Sequence, residues 1–352
     1  MIWRQFRQVF KDQAVDLRAS ILGVYFILFG LNLGAWAWAF AAFYSHPVLL
    51  GTALLAYSFG LRHAVDADHI AAIDNVTRKL MNEGKRPVSV GFFFSLGHST
   101  VVLLAAVGVA LTTTALQNRF AGFQRVSGII GTSVSAFFLF VLAVMNILIM
   151  TRIWHTFRRV RRGGSYVEED MDIILARGGL LARLFRPLFR LIRRSWHMYP
   201  LGFLFGLGFE TATEVALLGL SASEAAKNLP IWSVLVFPAL FTAGMSLVDT
   251  TDGILMLGAY GWAFLNPLRK LFYNLTVTAV SILVAVIIGG IETLGLIDDQ
   301  FSFSGWFWDT VRSLNDNFGT IGYLIIGLFV VSWFLSLLIY RMKGYDKVVV
   351  NS

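Results

Sequence analysis

Eight stretches of this chain are apolar over bilayer-crossing lengths, and its polar residues gather between them. They run from Ile21 to Tyr44, Val48 to Asn75, Val88 to Leu111, Ser127 to Thr151, Tyr199 to Leu220, Ile231 to Tyr260, Phe272 to Leu296 and Gly319 to Tyr340. A membrane helix needs about 20 apolar residues, so the pattern predicts an all-α integral membrane protein with about eight transmembrane helices. Residues 1–352 form a single membrane domain. Alternate connections, counted from the N-terminus, hold 24 Lys and Arg residues and the other set holds 4, with Arg62 left inside a segment. The positive-inside rule then makes the chain a multi-pass protein of the cytoplasmic membrane with both termini cytoplasmic. Residues 1–20 place Ile2, Trp3, Phe6, Val9 and Phe10 on one helical face, as in a segment lying at the cytoplasmic interface. The apolar run that follows is too long for a signal-peptide core. Residues 152–198 form a long basic cytoplasmic loop between the fourth and fifth segments, with an acidic patch from Glu168 to Asp172 and an Arg-Leu-Phe stretch from Leu180 to Arg194. On the opposite side, Phe301, Phe303, Trp306, Phe307 and Trp308 suit the headgroup region.

Composition agrees with that reading and narrows the chemistry. Of 352 residues, 57% are hydrophobic and 14% charged, against about 25% charged in a soluble domain. Cysteine is absent, which excludes disulfides, thiolate metal sites and cysteine nucleophiles. The net charge of +8 is topological and implies no nucleic-acid partner. No P-loop occurs, so any transport is secondary.

The second segment contains Arg62-His63-Ala64-Val65-Asp66-Ala67-Asp68-His69-Ile70, a charged cluster inside an apolar span. One charge at mid-bilayer costs at least about 2.5 kcal/mol, so the cluster must face protein or water. On an ideal helix, His63, Asp66 and His69 fall within about 120° of one another and can converge on one ligand. Imidazole suits Ni, Co, Cu and Zn, and without thiolates the site is nitrogen and oxygen only. His98 follows Gly97 in the third segment. Glu210 and Glu214 follow three glycines in the fifth. Met245, Asp249 and Asp252 share a face of the sixth. Asp66, Asp68, Glu210, Glu214, Asp249 and Asp252 together outnumber Arg62, and that excess calls for a cation. Asp74, Glu214 and Glu292 read equally well as structural partners, and His46, His155 and His197 as solvated groups.

An internal similarity adds a second line of argument. Phe94-Ser95-Leu96-Gly97-His98-Ser99-Thr100-Val101 and Phe241-Thr242-Ala243-Gly244-Met245-Ser246-Leu247-Val248 share four identities in eight positions at an offset of 147. The same offset sets His63 against Glu210. With the orientation above, the second and third segments form an inverted repeat with the fifth and sixth, the arrangement that builds transporter sites at the midplane.

These residues resemble the nickel/cobalt transporter family of prokaryotic and fungal permeases. The Arg-His-Ala-apolar-Asp-Ala-Asp-His-Ile signature is met in full by Arg62 to Ile70. Gly97 to Val102 meets the pattern of the third helix, and Gly244, Met245, Asp249 and Asp252 that of the sixth. In the fifth, Leu207 to Glu214 departs once, with Glu210 where the family usually has Asp. The resemblance implies high-affinity import of Ni²⁺ or Co²⁺ as substrate, with no cofactor. His63, Asp66, Asp68, His69 and His98 are then the candidate metal ligands, with Arg62, Glu210, Glu214, Met245, Asp249 and Asp252 along the path. The efflux branch often carries a His-rich loop, whereas 152–198 holds only His155 and His197, so import is favoured. Three other functions compete: efflux by a related permease, an intramembrane metalloenzyme using His63, Asp66 and His69, and a carrier of an organic solute. The residues leave oligomeric state and the coupling ion open.

Overall fold

A computed structural model describes residues 17–111, 117–161, 192–207, 217, 221, 230–263 and 267–342. Among them every regular element is helical. In order these are α1 (Leu17–Phe43), α2 (Pro47–His63), α3 (Ala67–Asn82), α4 (Val90–Leu111), α5 (Gln117–Arg161) and α6 (Met198–Phe205). The rest are α7 (Ile231–Val234), α8 (Val236–Ala263), α9 (Pro267–Phe301), α10 (Trp306–Asp316) and α11 (Phe318–Met342). Five spans are long and apolar enough to cross a membrane, and the bent pairs α2–α3 and α10–α11 bring the number to seven. The fifth expected segment is described only through α6 and two isolated residues, its remainder lying outside the described residues. Residues 1–16 and 162–191, which carry most of the expected interfacial segment and long loop, lie outside them too.

Helix α1 illustrates how the sequence sorts itself in lipid. Ser20, Val24, Leu28, Asn32, Ala35, Ala39 and Phe43 recur every three or four residues and are buried. Leu22, Phe26, Phe29 and Leu33 point outward and are exposed. The polar Ser20 and Asn32 and the small Ala35 and Ala39 are all on the protein face, while from Leu22 onward the outward face is wholly apolar, as contact with acyl chains requires. Helix α8 lies at the centre against α2, α3 and α4, while α9 packs along α5.

The second segment is not one helix. Helix α2 ends at His63 and α3 starts at Ala67, with a bend of 52° between them. Two tight bonds, Val65 N to Arg62 O at 3.0 Å and Asp66 N to His63 O at 2.9 Å, close the turn. Asp66 takes an extended ψ of 147° at the start of α3. These backbone bonds and burial of the turn within the protein make the interruption tolerable at membrane depth, where freed backbone groups must be met internally. Two other boundaries differ from the hydropathy reading. Helix α5 continues to Arg161, so the start of the expected loop 152–198 is helical. The aromatic connection after α9 contains α10, held by Arg312 bonded to Asp298 at 3.0 Å and by Phe303 stacked on Trp308 at 4.7 Å.

The internal similarity recurs as packing. A Cβ at Gly60 of α2 would lie 2.1 Å from Phe241 O of α8, and one at Gly202 of α6 would lie 2.0 Å from Phe94 O of α4. In the same way Gly244 faces Tyr57 O and Gly97 faces Tyr199 O. Only glycine admits backbones this close. The α4 and α8 partners are 147 residues apart, whereas the α2 and α6 partners are 142 apart. The shorter offset sets Glu210 against Asp68 rather than His63, because the segments preceding the two motifs differ in length.

Candidate metal site at the broken helix

The turn between α2 and α3 determines where three imidazoles meet. His63 is the last residue of α2, His69 lies in the first turn of α3, and His98 comes from α4. All three are buried. Their ring centroids form a nearly regular triangle, with His63–His69 at 4.7 Å, His63–His98 at 4.8 Å and His69–His98 at 4.9 Å. One ring nitrogen from each lies within 4.8 Å of the other two. The ideal-helix argument thus reaches the correct neighbours by the wrong route. His63 and His69 converge because the helix breaks between them, and His98 closes the triangle from another helix.

Carboxylates hold two of the rings from behind. Asp66 begins α3, yet its side chain makes no cap bond to that helix; it accepts Nδ1–H of His63 at 3.0 Å. Asp249 of α8 accepts Nδ1–H of His69, with its oxygens at 3.2 and 3.3 Å. A carboxylate on Nδ1 fixes the tautomer, turns Nε2 inward with its lone pair and makes that nitrogen a better donor to a cation. Nε2 of His69 is buried and has no hydrogen-bond partner among the described residues. Nε2 of His63 lies 3.0 Å from Nε2 of His98, so one proton bridges two potential ligand atoms. A first-row cation stands about 2.0–2.1 Å from an imidazole nitrogen, which permits nitrogens about 3.0–4.2 Å apart. The widest pair need only draw in by some tenths of an ångström. Three neutral imidazoles and two carboxylates carry two negative charges, the complement of one divalent ion.

The walls are aromatic. Phe94 meets His69 edge-on at 4.8 Å and Phe241 lies 5.4 Å from His63. Sequence reasoning did not single out these two phenylalanines as site residues. The available signal was their place as the first identical pair of the internal repeat.

The remaining candidates separate clearly. Asp68 is half-buried and lines a cavity of about 290 Å³ with Glu292, Asp299, Asp316 and Arg312, within electrostatic reach of His69 and Asp249. Arg62 is exposed, outside the cluster. Met245 is buried in an apolar cluster with Phe237, Leu240 and Phe241, the last of which is also a wall of the site. Asp252 is on the same helix as Asp249, and its electrostatic neighbours are Asp74 and Asp249. Glu210 and Glu214 lie outside the described residues.

Comparison with known proteins agrees with this chemistry. Residues 49–339 match the family model described as high-affinity nickel-transport protein. The chain is 61% identical to a high-affinity nickel transport protein of Cupriavidus necator, covering 94% of each chain. It is 44% identical to a nickel transporter of Staphylococcus aureus, over 95% of this chain and 96% of that one. A cobalt transport protein of Rhodococcus rhodochrous is 39% identical, over 92% of each. No solved structure matches. This family consists of transporters rather than enzymes, and the extent of the match leaves one assignment: the chain belongs to the high-affinity nickel-transport protein family.

Proposed function

We propose that this chain is a secondary importer of the cytoplasmic membrane that carries Ni²⁺, and Co²⁺ through the same site, with both termini cytoplasmic. The observation that carries the reading is the buried imidazole triangle, two of whose rings are backed by carboxylates. His63, His69 and His98 supply the ligand nitrogens. Asp66 and Asp249 orient two rings and offset the charge of the ion. A nitrogen set of this kind prefers Ni²⁺ to Co²⁺ by intrinsic affinity, so names from both nickel and cobalt relatives fit one site.

Each residue has a task in the passage of the ion. Asp68 stands one residue before His69 and faces the acidic cavity, where it concentrates the hydrated cation next to the site. On binding, the metal takes the place of the hydrogen bond between His63 and His98, and the His98 ring stays neutral by carrying its proton on Nδ1. The bend between α2 and α3 lets the two halves of the segment shift separately, which suits alternating access. The orientation rests on the 24 to 4 partition of basic residues.

The test is uptake of radioactive Ni²⁺ by cells that lack their own carriers. Wild-type protein should give saturable uptake in which Co²⁺ competes, and His63→Ala and His69→Ala should abolish it at equal protein in the membrane. Normal uptake by either variant refutes ligation by the triangle.

A further inference from the structure

The acidic cavity that reaches Asp68 is covered at its far end by α10. Arg312 and Asp316 of α10 are exposed at its rim, while Thr132 and Glu292 are buried in its depth. At the inner end Asp68 precedes His69, and Phe205 stands edge-on to Phe94 at 5.4 Å, which in turn meets His69 at 4.8 Å. By the orientation proposed above, α10 lies on the side away from the cytoplasm, so the cavity is a vestibule between the outer surface and the imidazole triangle. Its volume of about 290 Å³ is many times the roughly 30 Å³ of one water, enough for a cation with its hydration shell.

Helix α10 is held lightly over this vestibule. Of its described residues Val311 alone is buried, and Trp306, Phe307 and Leu314 are exposed. Two polar contacts tie it to the last turns of α9. Arg312 donates from Nε to Asp298 Oδ2 at 3.0 Å, and Asn315 lies over Gly295, where a Cβ would stand 2.0 Å from its Nδ2. Asp298 is buried, so Arg312 offsets a charge that is costly to bury alone. The joints on either side are sharp. Ser302 and Gly305 take φ of 51° and 119° before α10, and the chain bends by 78° between α10 and α11. An element with one buried side chain, polar ties and a bend at each end opens at less cost than the packed helices around it. We propose that α10 is a lid over the vestibule, latched to α9 by Arg312 and Asp298, which lifts to admit the cation and settles before the imidazoles release it inward. This rests on the carrier function and orientation proposed above and assigns the outer gate to an element apart from the metal ligands.

The chain has no cysteine, so introduced thiols are the only ones present. The first arm places Gly295→Cys and Asn315→Cys together in the full chain in liposomes. Oxidation should join the two across the contact and lower uptake of radioactive Ni²⁺ at least tenfold, and reduction should restore it; neither single variant should respond to the oxidant. Undiminished uptake by the cross-linked pair overturns the lid, and a pair that does not cross-link contradicts the closed contact from which it starts. The second arm follows Thr132→Cys in spheroplasts, labelled from outside by a cationic and by an anionic impermeant thiosulfonate. Adding Arg312→Gln should speed both reagents at least fivefold. Adding Asp298→Asn instead, which leaves no uncompensated buried carboxylate, should do the same and guards against a misfolded Gln variant. Unchanged rates overturn the latch, as does a faster cationic and slower anionic reagent, the signature of altered cavity charge alone. The labelling arm needs no transport: expected labelling in a protein that takes up no Ni²⁺ would sink the carrier reading and not the lid.

Discussion

Replacing Asp249 separates the charge behind His69 from the hydrogen bond that orients it. Both side chains are fully buried, and the carboxylate oxygens lie 3.2 and 3.3 Å from Nδ1. In Asp249→Asn the amide oxygen still accepts Nδ1–H, so the tautomer that presents Nε2 inward survives while one of the two negative charges balancing the ion is lost. In Asp249→Ala both are lost and His69 is free to present either nitrogen. Groups in this position are typically worth 10- to 100-fold in metal affinity. We therefore expect about 10-fold weaker Ni²⁺ binding for Asn and about 100-fold for Ala, or about 1.4 and 2.7 kcal/mol. Neither change introduces an unpaired buried charge, so insertion and folding should persist. The assay is calorimetric titration of purified protein with Ni²⁺, checked against the melting temperature without metal. Wild-type affinity in Asp249→Ala would refute the role of the carboxylate. An Asn variant as weak as Ala would show that charge alone matters and that tautomer control does not.

Three further outcomes follow from the geometry. Gly60→Ala drives a Cβ to 2.1 Å from Phe241 O, so α2 and α8 must separate; we expect a loss on the order of 1–3 kcal/mol and a lower melting temperature. Gly30→Ala, with nothing within 4 Å, should leave the melting temperature unchanged or raise it. Asp68→Asn should raise the KM for Ni²⁺ uptake several-fold with little change in maximal rate, more so at low ionic strength, because the residue lines the cavity and not the triangle.

The sequence made one part of this molecule legible and hid another, for physical reasons. Burial of His63, Asp66 and His69 could be anticipated because each is costly in lipid and demands a shared compensation. The break between them could not be read, since Ala64, Val65 and Ala67 are as compatible with a continuous helix as their neighbours and no Gly or Pro marks the turn. The pairing of His69 with Asp249 spans 180 residues and depends on how α8 lies against α3, which no local period encodes. For the same reason the packing of Met245, a face-mate of Asp249 by spacing, with Phe237 and Phe241 is not encoded locally. Short-range chemistry was readable, and long-range register was not.

X-ray absorption at the Ni K-edge of the purified, Ni²⁺-loaded protein tests the central claim most directly. Three imidazoles around the ion predict a first shell of nitrogen and oxygen alone, with outer scattering from about three histidine rings and the loss of one ring in each of His63→Ala, His69→Ala and His98→Ala. A sulfur neighbour, which in a chain without cysteine could come only from methionine, or an imidazole count unchanged by all three substitutions, would contradict it.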